Sequence, residues 1–147
     1  MPDLRVRALQ LLTRRDHSRA ELKSKLAGEA ESAEQLDAVL DTLETERLLC
    51  DQRYASQRVI ARARRYGNGR LKQELRHNGV SDEDIAVALP EGGDETERCQ
   101  MVWSRKFGEL PKTPEERAKQ MRFLQYRGFS GDAIRQTMRR AMRGAEE

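Results

Sequence analysis

Seven cations crowd one stretch of this chain: Arg58, Arg62, Arg64, Arg65, Arg70, Lys72 and Arg76, with Glu74 the only acidic residue among them. Arg58, Arg62 and Arg65 stand at i, i+4 and i+7, the spacing of one helical face. Like charges so placed destabilise a helix by a few tenths of a kcal/mol per pair, which a bound polyanion or an acidic partner would relieve. The alternative is a solvated face whose arginines pair with acidic helices nearby. Further along, Arg117, Lys119, Arg122 and Arg127 precede Arg135, Arg139, Arg140 and Arg143. The chemistry these residue types offer is electrostatic capture of an anionic macromolecule. The candidate contacts are Arg58, Arg62, Arg64, Arg65, Arg70, Lys72, Arg76, Arg122, Arg127, Arg135 and Arg139. Tyr66 and Tyr126 each abut an arginine, Arg65 or Arg127, and suit stacking on a base or a partner side chain. Tyr54, Trp103, Phe107 and Phe123 read as core.

Bond-making chemistry finds little support. Gly67-Asn68-Gly69 has no strand before it and lacks the lysine and hydroxyl residue of a phosphate loop, so it reads as a turn between helices. His17 lies just before a helix and His77 near the end of one; neither has metal-ligand spacing, and both read as polar surface or capping groups. Cys50 and Cys99 make no disulfide framework and read as structural thiols. No nucleophile, base and orienting group fall into a recognisable arrangement. No catalytic residue, cofactor or metal is expected.

The elements that carry these residues repeat. Leu26, Leu75 and Leu124 recur at a spacing of 49, as do Ser32, Ser81 and Ser130, then Leu36, Ile85 and Ile134, then Leu40, Leu89 and Met138. Four columns in one register indicate tandem units. Weaker echoes pair Tyr54 with Trp103 and Cys50 with Cys99, which places the two cysteines in equivalent positions. Leu75 to Val80 reads as a helix closed by a left-handed glycine at Gly79, and Leu124, Gly128 and Phe129 repeat it. Ser18-Arg19-Ala20-Glu21, Ser32-Ala33-Glu34-Gln35 and Thr113-Pro114-Glu115-Glu116 read as capping boxes. Leu36, Val39, Leu40 and Leu43 give a buried helical stripe. The spacing predicts helices over 3–15, 19–27, 33–47, 52–66, 69–78, 82–89, 95–108, 114–127 and 131–143, with no strand. The fold class is all-α: three tandem three-helix repeats, helix-turn-helix-like, over 1–50, 51–93 and 94–147. Pro90-Glu91-Gly92-Gly93 is the candidate hinge.

Net charge is only +3, but it is segregated along the chain. Residues 1–28 carry seven basic and three acidic groups, 29–51 one and eight, 53–80 eight and one, 81–97 none and seven, 98–143 twelve and four. First and second helices of the first two units are therefore basic and third helices acidic. That argues against a helix-turn-helix reader of duplex DNA, whose recognition helix would meet the groove with Glu34, Asp37 and Asp41, or with Asp82, Glu83 and Asp84. Only the third unit, through Arg135 and Arg139, suits such a groove. No apolar run approaches the roughly 18 residues of a membrane span, and residues 1–7 hold no apolar leader, so a cytoplasmic protein with no membrane partner is expected.

The opening of the chain, Arg14-Arg15-Asp16-His17-Ser18-Arg19-Ala20-Glu21-Leu22, resembles that of RecX, the bacterial regulator of RecA recombinase. Arg53-Tyr54-Ala55, Gly67, Gly69, Glu74-Leu75 and Gly79-Val80 resemble its second segment, and Arg127-Gly128-Phe129-Ser130 with Ile134 its third. The chain departs from the pattern in starting almost on the first helix, and in Leu49-Cys50-Asp51, which replaces the more usual paired acidic residues. The resemblance implies an elongated, curved stack, right- or left-handed, acting as a monomer that binds the RecA filament on single-stranded DNA. It implies restraint of RecA's ATPase, strand-exchange and coprotease activities, with contact to single- or double-stranded DNA in some members. Nine helices partly side by side would give a rod of roughly 60–75 Å. The competing expectation is a sequence-tolerant DNA-binding protein that acts without RecA.

Overall fold

A computed structural model describes residues 3–146. Among them lie nine α-helices in three successive triplets and no strand: α1 Leu4–Arg14, α2 Arg19–Leu26, α3 Ala33–Thr45; α4 Asp51–Arg62, α5 Asn68–His77, α6 Asp82–Ala88; α7 Glu95–Lys106, α8 Pro114–Tyr126 and α9 Gly131–Glu146. Local chemistry sets most boundaries. The Ser32, Ser81 and Ser130 hydroxyls accept the amides of Gln35 (3.1 Å), Asp84 (3.2 Å) and Ala133 (3.1 Å), so the repeated serines cap three third helices. Ser18 and Glu21 form a complete capping box. The other two boxes are half-formed, because Gln35 and Glu116 reach back one residue further, to the amides of Glu31 and Lys112. At the end of α5 Val80 donates to Leu75 O (3.0 Å) and Gly79 to Arg76 O (3.0 Å), with Gly79 at φ 80°. Phe129, Leu124 and Gly128 (φ 91°) repeat that Schellman closure after α8.

The 49-residue columns hold in the second and third helices. Leu26, Leu75 and Leu124 are buried, as are Leu36, Ile85 and Ile134. Leu40 and Met138 are buried too, but α6 stops at Ala88, which takes the core position and leaves Leu89 half-buried in a 3-10 turn, Leu89–Gly92. The register fails in the first helices: α4 begins at Asp51 and α7 at Glu95. Cys50 therefore precedes its helix while Cys99 is buried inside one, and the cysteines are not equivalent after all. The expected hinge is instead tied down. A Cβ on Gly92 would meet the Ala63 Cβ at 2.8 Å, and the Gly93 carbonyl accepts Arg98 Nη1 at 2.8 Å.

The chain divides into two compact units that cut across the middle triplet: Met1–Gln57 with Leu75–Val87, and Arg58–Glu74 with Ala88–Glu147. Unit 1 is built on Leu4, Ala8, Leu22, Leu26, Leu36, Leu40, Leu43 and Leu49, each burial stabilising by about 1.5–3 kcal/mol for a leucine. Its α5 end locks onto the start of α2: a Cβ on Gly79 would collide with the Ala20 Cβ, and the Ser18 hydroxyl donates to Asn78 O at 2.6 Å. Unit 2 is built on Cys99, Val102, Leu124, Phe129, Ala133, Ile134 and Met138. It repeats the lock 49 residues on. Gly67 N donates to Arg127 O (2.8 Å) and Gly69 N to Gly128 O (3.0 Å), while a Cβ on Gly67 would run into the backbone of Gly128 and Phe129. The glycines flanking Asn68 are thus needed for backbone-to-backbone approach.

Each unit also carries one bridging arginine. Arg53 Nε meets the Asp16 carboxylate (3.0 Å) and its Nη atoms donate to Arg47 O and Leu48 O. Arg98, only 8% exposed, donates to Ala63 O (2.9 Å), Tyr66 O (3.3 Å), Gly93 O (2.8 Å) and Asn68 Oδ1 (2.8 Å). It satisfies the orphan carbonyls after α4, and burial lowers its pKa. The first helices of the second and third triplets are offset by 44 residues, Asp51–Arg62 against Glu95–Lys106, so the two arginines, 45 apart, are not strict equivalents. His17, expected at the surface, is buried: Nδ1 lies 3.0 Å from Arg15 O and Nε2 3.1 Å from Lys25 Nζ. That pattern suits a neutral ring that donates through Nδ1 and accepts through Nε2.

Candidate interaction site

The turn between α4 and α5 gathers the densest charge, and the fold explains why it is a turn. Helix α4 ends at Arg62, with Arg65 N bonded to Arg62 O at 3.1 Å, because Gly67 must reach the α8 end. Arg64 and Arg65 consequently sit beyond the helix, and Arg65 does not extend the helical face of Arg58 and Arg62. Both are exposed.

The fold brings Arg64 and Arg65 of the second triplet together with Arg127 of the third. They line a cleft of about 250 Å³ within unit 2, joined by Arg105 and Lys106 from the last turn of α7 and floored by Val102 and Phe123. None of the five cations is ion-paired with a carboxylate among the described residues. Sequence reasoning missed Arg105 and Lys106, although two cations closing a helix just before Phe107 were the available signal. It also placed Phe123 in the core, whereas the ring is half-buried, with Lys106 at 5.3 Å and Arg127 at 5.2 Å from its centroid. Phe107 packs edge-on against it at 5.5 Å.

Beside the cleft three guanidiniums surround Tyr66: Arg62 at 4.6 Å, Arg70 at 4.4 Å and Arg127 at 5.3 Å. Glu74 holds two of them, Arg62 at 2.7 Å and Arg70 at 3.9 Å. Arg62 and Arg70 are therefore half-buried structural cations as well as charge. Arg76 belongs to unit 1, exposed and paired with Asp82 at 2.9 Å. Arg58 is half-buried on α4; Lys72 and Arg122 are exposed on α5 and α8. Arg135 and Arg139 are exposed on α9, Arg135 lying 4.0 Å from Asp132, and Arg139 lines a shallow hollow with Gln136, Arg140 and Arg143. Tyr126 is 81% exposed.

The arrangement can hold an anionic surface by many weak contacts. Among the described residues no group of three or more histidine, cysteine, aspartate or glutamate side chains is placed to hold a metal ion, and no helix is long and apolar enough to cross a membrane.

Residues 5–43, 51–89 and 93–138 match the first, second and third three-helix domains of RecX, in that order. The chain is 44% identical over 144 residues to the regulatory protein RecX of Ralstonia nicotianae, covering 97% of this chain and 88% of that one. With the Pseudomonas fluorescens protein of the same name identity is 46% over 130 residues, covering 86% and 84%. The crystal structure of RecX from Lactobacillus salivarius superposes with a TM-score of 0.83 over 94% of both chains at 20% identity, a likeness of fold. A second RecX crystal structure gives 0.75 at 23% identity, covering 92% of this chain and 73% of the other. Three domains in order, over nearly the whole length, mean that this chain belongs to the RecX family.

Proposed function

We propose that this protein regulates RecA recombinase by binding the RecA filament on single-stranded DNA, limiting its ATPase, strand-exchange and coprotease activities. The observation that carries the reading is the in-order match of all three triplets to relatives named regulatory protein RecX. The mode of action is binding alone: a ligand that prefers one filament state shifts the population toward it by its differential affinity. It acts as a cytoplasmic monomer. Contact centres on the unpaired cations Arg64, Arg65 and Arg127 with Arg105 and Lys106, while Arg58, Lys72, Arg122, Arg135 and Arg139 extend the positive field that speeds encounter. Arg62, Arg70 and Arg76, already engaged with Glu74 and Asp82, contribute less.

The test is a titration of DNA-dependent RecA ATPase with this protein and with the triple variant Arg64→Glu, Arg65→Glu, Arg127→Glu. The wild type inhibits and the variant, with an unchanged helical circular dichroism spectrum, does not. Equal inhibition by both would move the contact elsewhere; no inhibition by the wild type would remove the RecA reading.

The row of exposed arginines on α9, Arg135, Arg139 and Arg143, favours a second reading, a sequence-tolerant DNA binder that acts without RecA. Salt separates the two. A protein neutralising about six phosphates loses on the order of 10³-fold in affinity for bare DNA between roughly 50 and 200 mM salt, whereas a filament regulator needs RecA to bind well.

A further inference from the structure

We propose that the cleft in unit 2 takes an acidic protein segment bearing one apolar side chain, rather than a strand of nucleic acid. The inference rests on that cleft being the contact site named above.

The charge balance calls for an anionic occupant. Three helix ends converge on the cleft: the turn after α4 brings Arg64 and Arg65, the last turn of α7 brings Arg105 and Lys106, and the α8 C-cap is Arg127. Each helix C-terminus presents roughly half a negative charge, so the three offset about 1.5 of the cationic charge. Five unpaired cations exceed that by about 3.5 charges. An occupant with several carboxylates, each able to accept a two-pronged arginine bond, would supply the balance.

Phosphates would answer the charge as well; the rings and the surroundings discriminate against them. Binding to single-stranded nucleic acid needs open aromatic faces on which bases stack, worth about 1–3 kcal/mol per base. Neither ring here is open in that way. Phe123 carries Lys106 and Arg127 and meets Phe107 at its edge, and Tyr66 carries three guanidiniums. A base would have to displace two or three cation–π contacts of about 0.5–1 kcal/mol each, which consumes most of the stacking gain. Nor does the positive surface continue beyond Lys106 as a track for a phosphate backbone. Past Lys106 the adjoining hollow is shared by Glu109 and Glu116 with Lys112 and Lys119. The cleft itself is short, about 250 Å³, with an apolar floor of Val102 and Phe123 that suits one aliphatic side chain flanked by acids.

The experiment is fluorescence anisotropy on the full chain with three labelled probes: a short synthetic peptide of aspartate and glutamate around a single leucine, the same peptide with asparagine and glutamine, and an oligothymidylate of matching charge. The acidic peptide binds, and its affinity falls about tenfold or more in Arg105→Ala and in Arg64→Ala, and again when its leucine is replaced by serine. The amide peptide binds no better than background. Affinity for the acidic peptide that is absent, or unmoved by Arg105→Ala, would overturn the inference. So would an oligothymidylate whose binding is lost in those variants and which the peptide cannot displace. No RecA is present in this assay, so its failure leaves the ATPase result standing, and failure of the ATPase titration leaves the peptide result standing.

Discussion

At the scale of single residues, Arg98 and His17 show how a highly charged sequence hides two titratable groups. Arg98 makes four hydrogen bonds to three carbonyls and Asn68 from one planar fork. A lysine has one donor head and cannot span them, so Arg98→Lys leaves buried acceptors unpaired and lowers stability by roughly 2 kcal/mol or more, read as a fall in the urea midpoint at constant m. His17 gives the pH dependence. Burial lowers its pKa, the hydrogen bond to the Arg15 carbonyl pulls the other way, and the charges of Arg15 and Lys25 add to the lowering against a smaller favourable pull from Glu21. A histidine whose folded pKa lies below the unfolded value of about 6.5 binds its proton more readily unfolded, so its contribution is full above about pH 6.5 and is lost as pH falls below it. Melting temperature should fall through that range in the wild type and fall less steeply in His17→Gln. Identical slopes would mean that His17 does not titrate there.

At the scale of elements, the turns around Gly67 and Gly128 hold unit 2 together. Gly67→Ala puts a methyl group against peptide backbone that has no rotamer to change, and the expected loss is about 3 kcal/mol. Gly28→Ala is the control, since nothing lies within 4 Å of a Cβ there, and it should stay within about 0.5 kcal/mol of the wild type. Both are measured by chemical denaturation. What the sequence made readable at this scale was whatever is decided within one turn of chain. The serine caps, the glycine closures after α5 and α8 and the leucine stripe of α3 lie where spacing places them, because their partners are three to six residues away. The lock between Gly67 and Gly128 was not readable, since it depends on two distant backbones meeting. The equivalence of Cys50 and Cys99 failed for a related reason: a register taken from second and third helices was carried into first helices, which do not share it. Arg98 went unnoticed because an arginine among acids reads as surface charge.

At the scale of the whole molecule, the alternation of basic and acidic blocks resolves into a division of labour among the cations. Arg19 and Lys23 are spent on the acidic α3, with Arg19 2.7 Å from Asp41 and Lys23 3.1 Å from Asp37. The unpaired cations of the cleft, by contrast, all belong to unit 2. Regulation of RecA should therefore be far more sensitive to charge reversal at Arg64, Arg65 and Arg127 than at Arg19 or Lys23, provided the helical signal is retained, and RecA ATPase inhibition is the measurement. The candidate face was legible as charge but not as a cleft, because its members come from three segments that only the fold assembles. The glycine locks also bear on time. Each closes a loop of 60 residues, from Ser18 to Asn78 and from Gly67 to Arg127. Closing so long a loop loses chain entropy before any contact is gained, so the helical hairpins, whose contacts are local, are expected to form before the locks close. Gly67→Ala should then speed unfolding while leaving the refolding rate near that of the wild type.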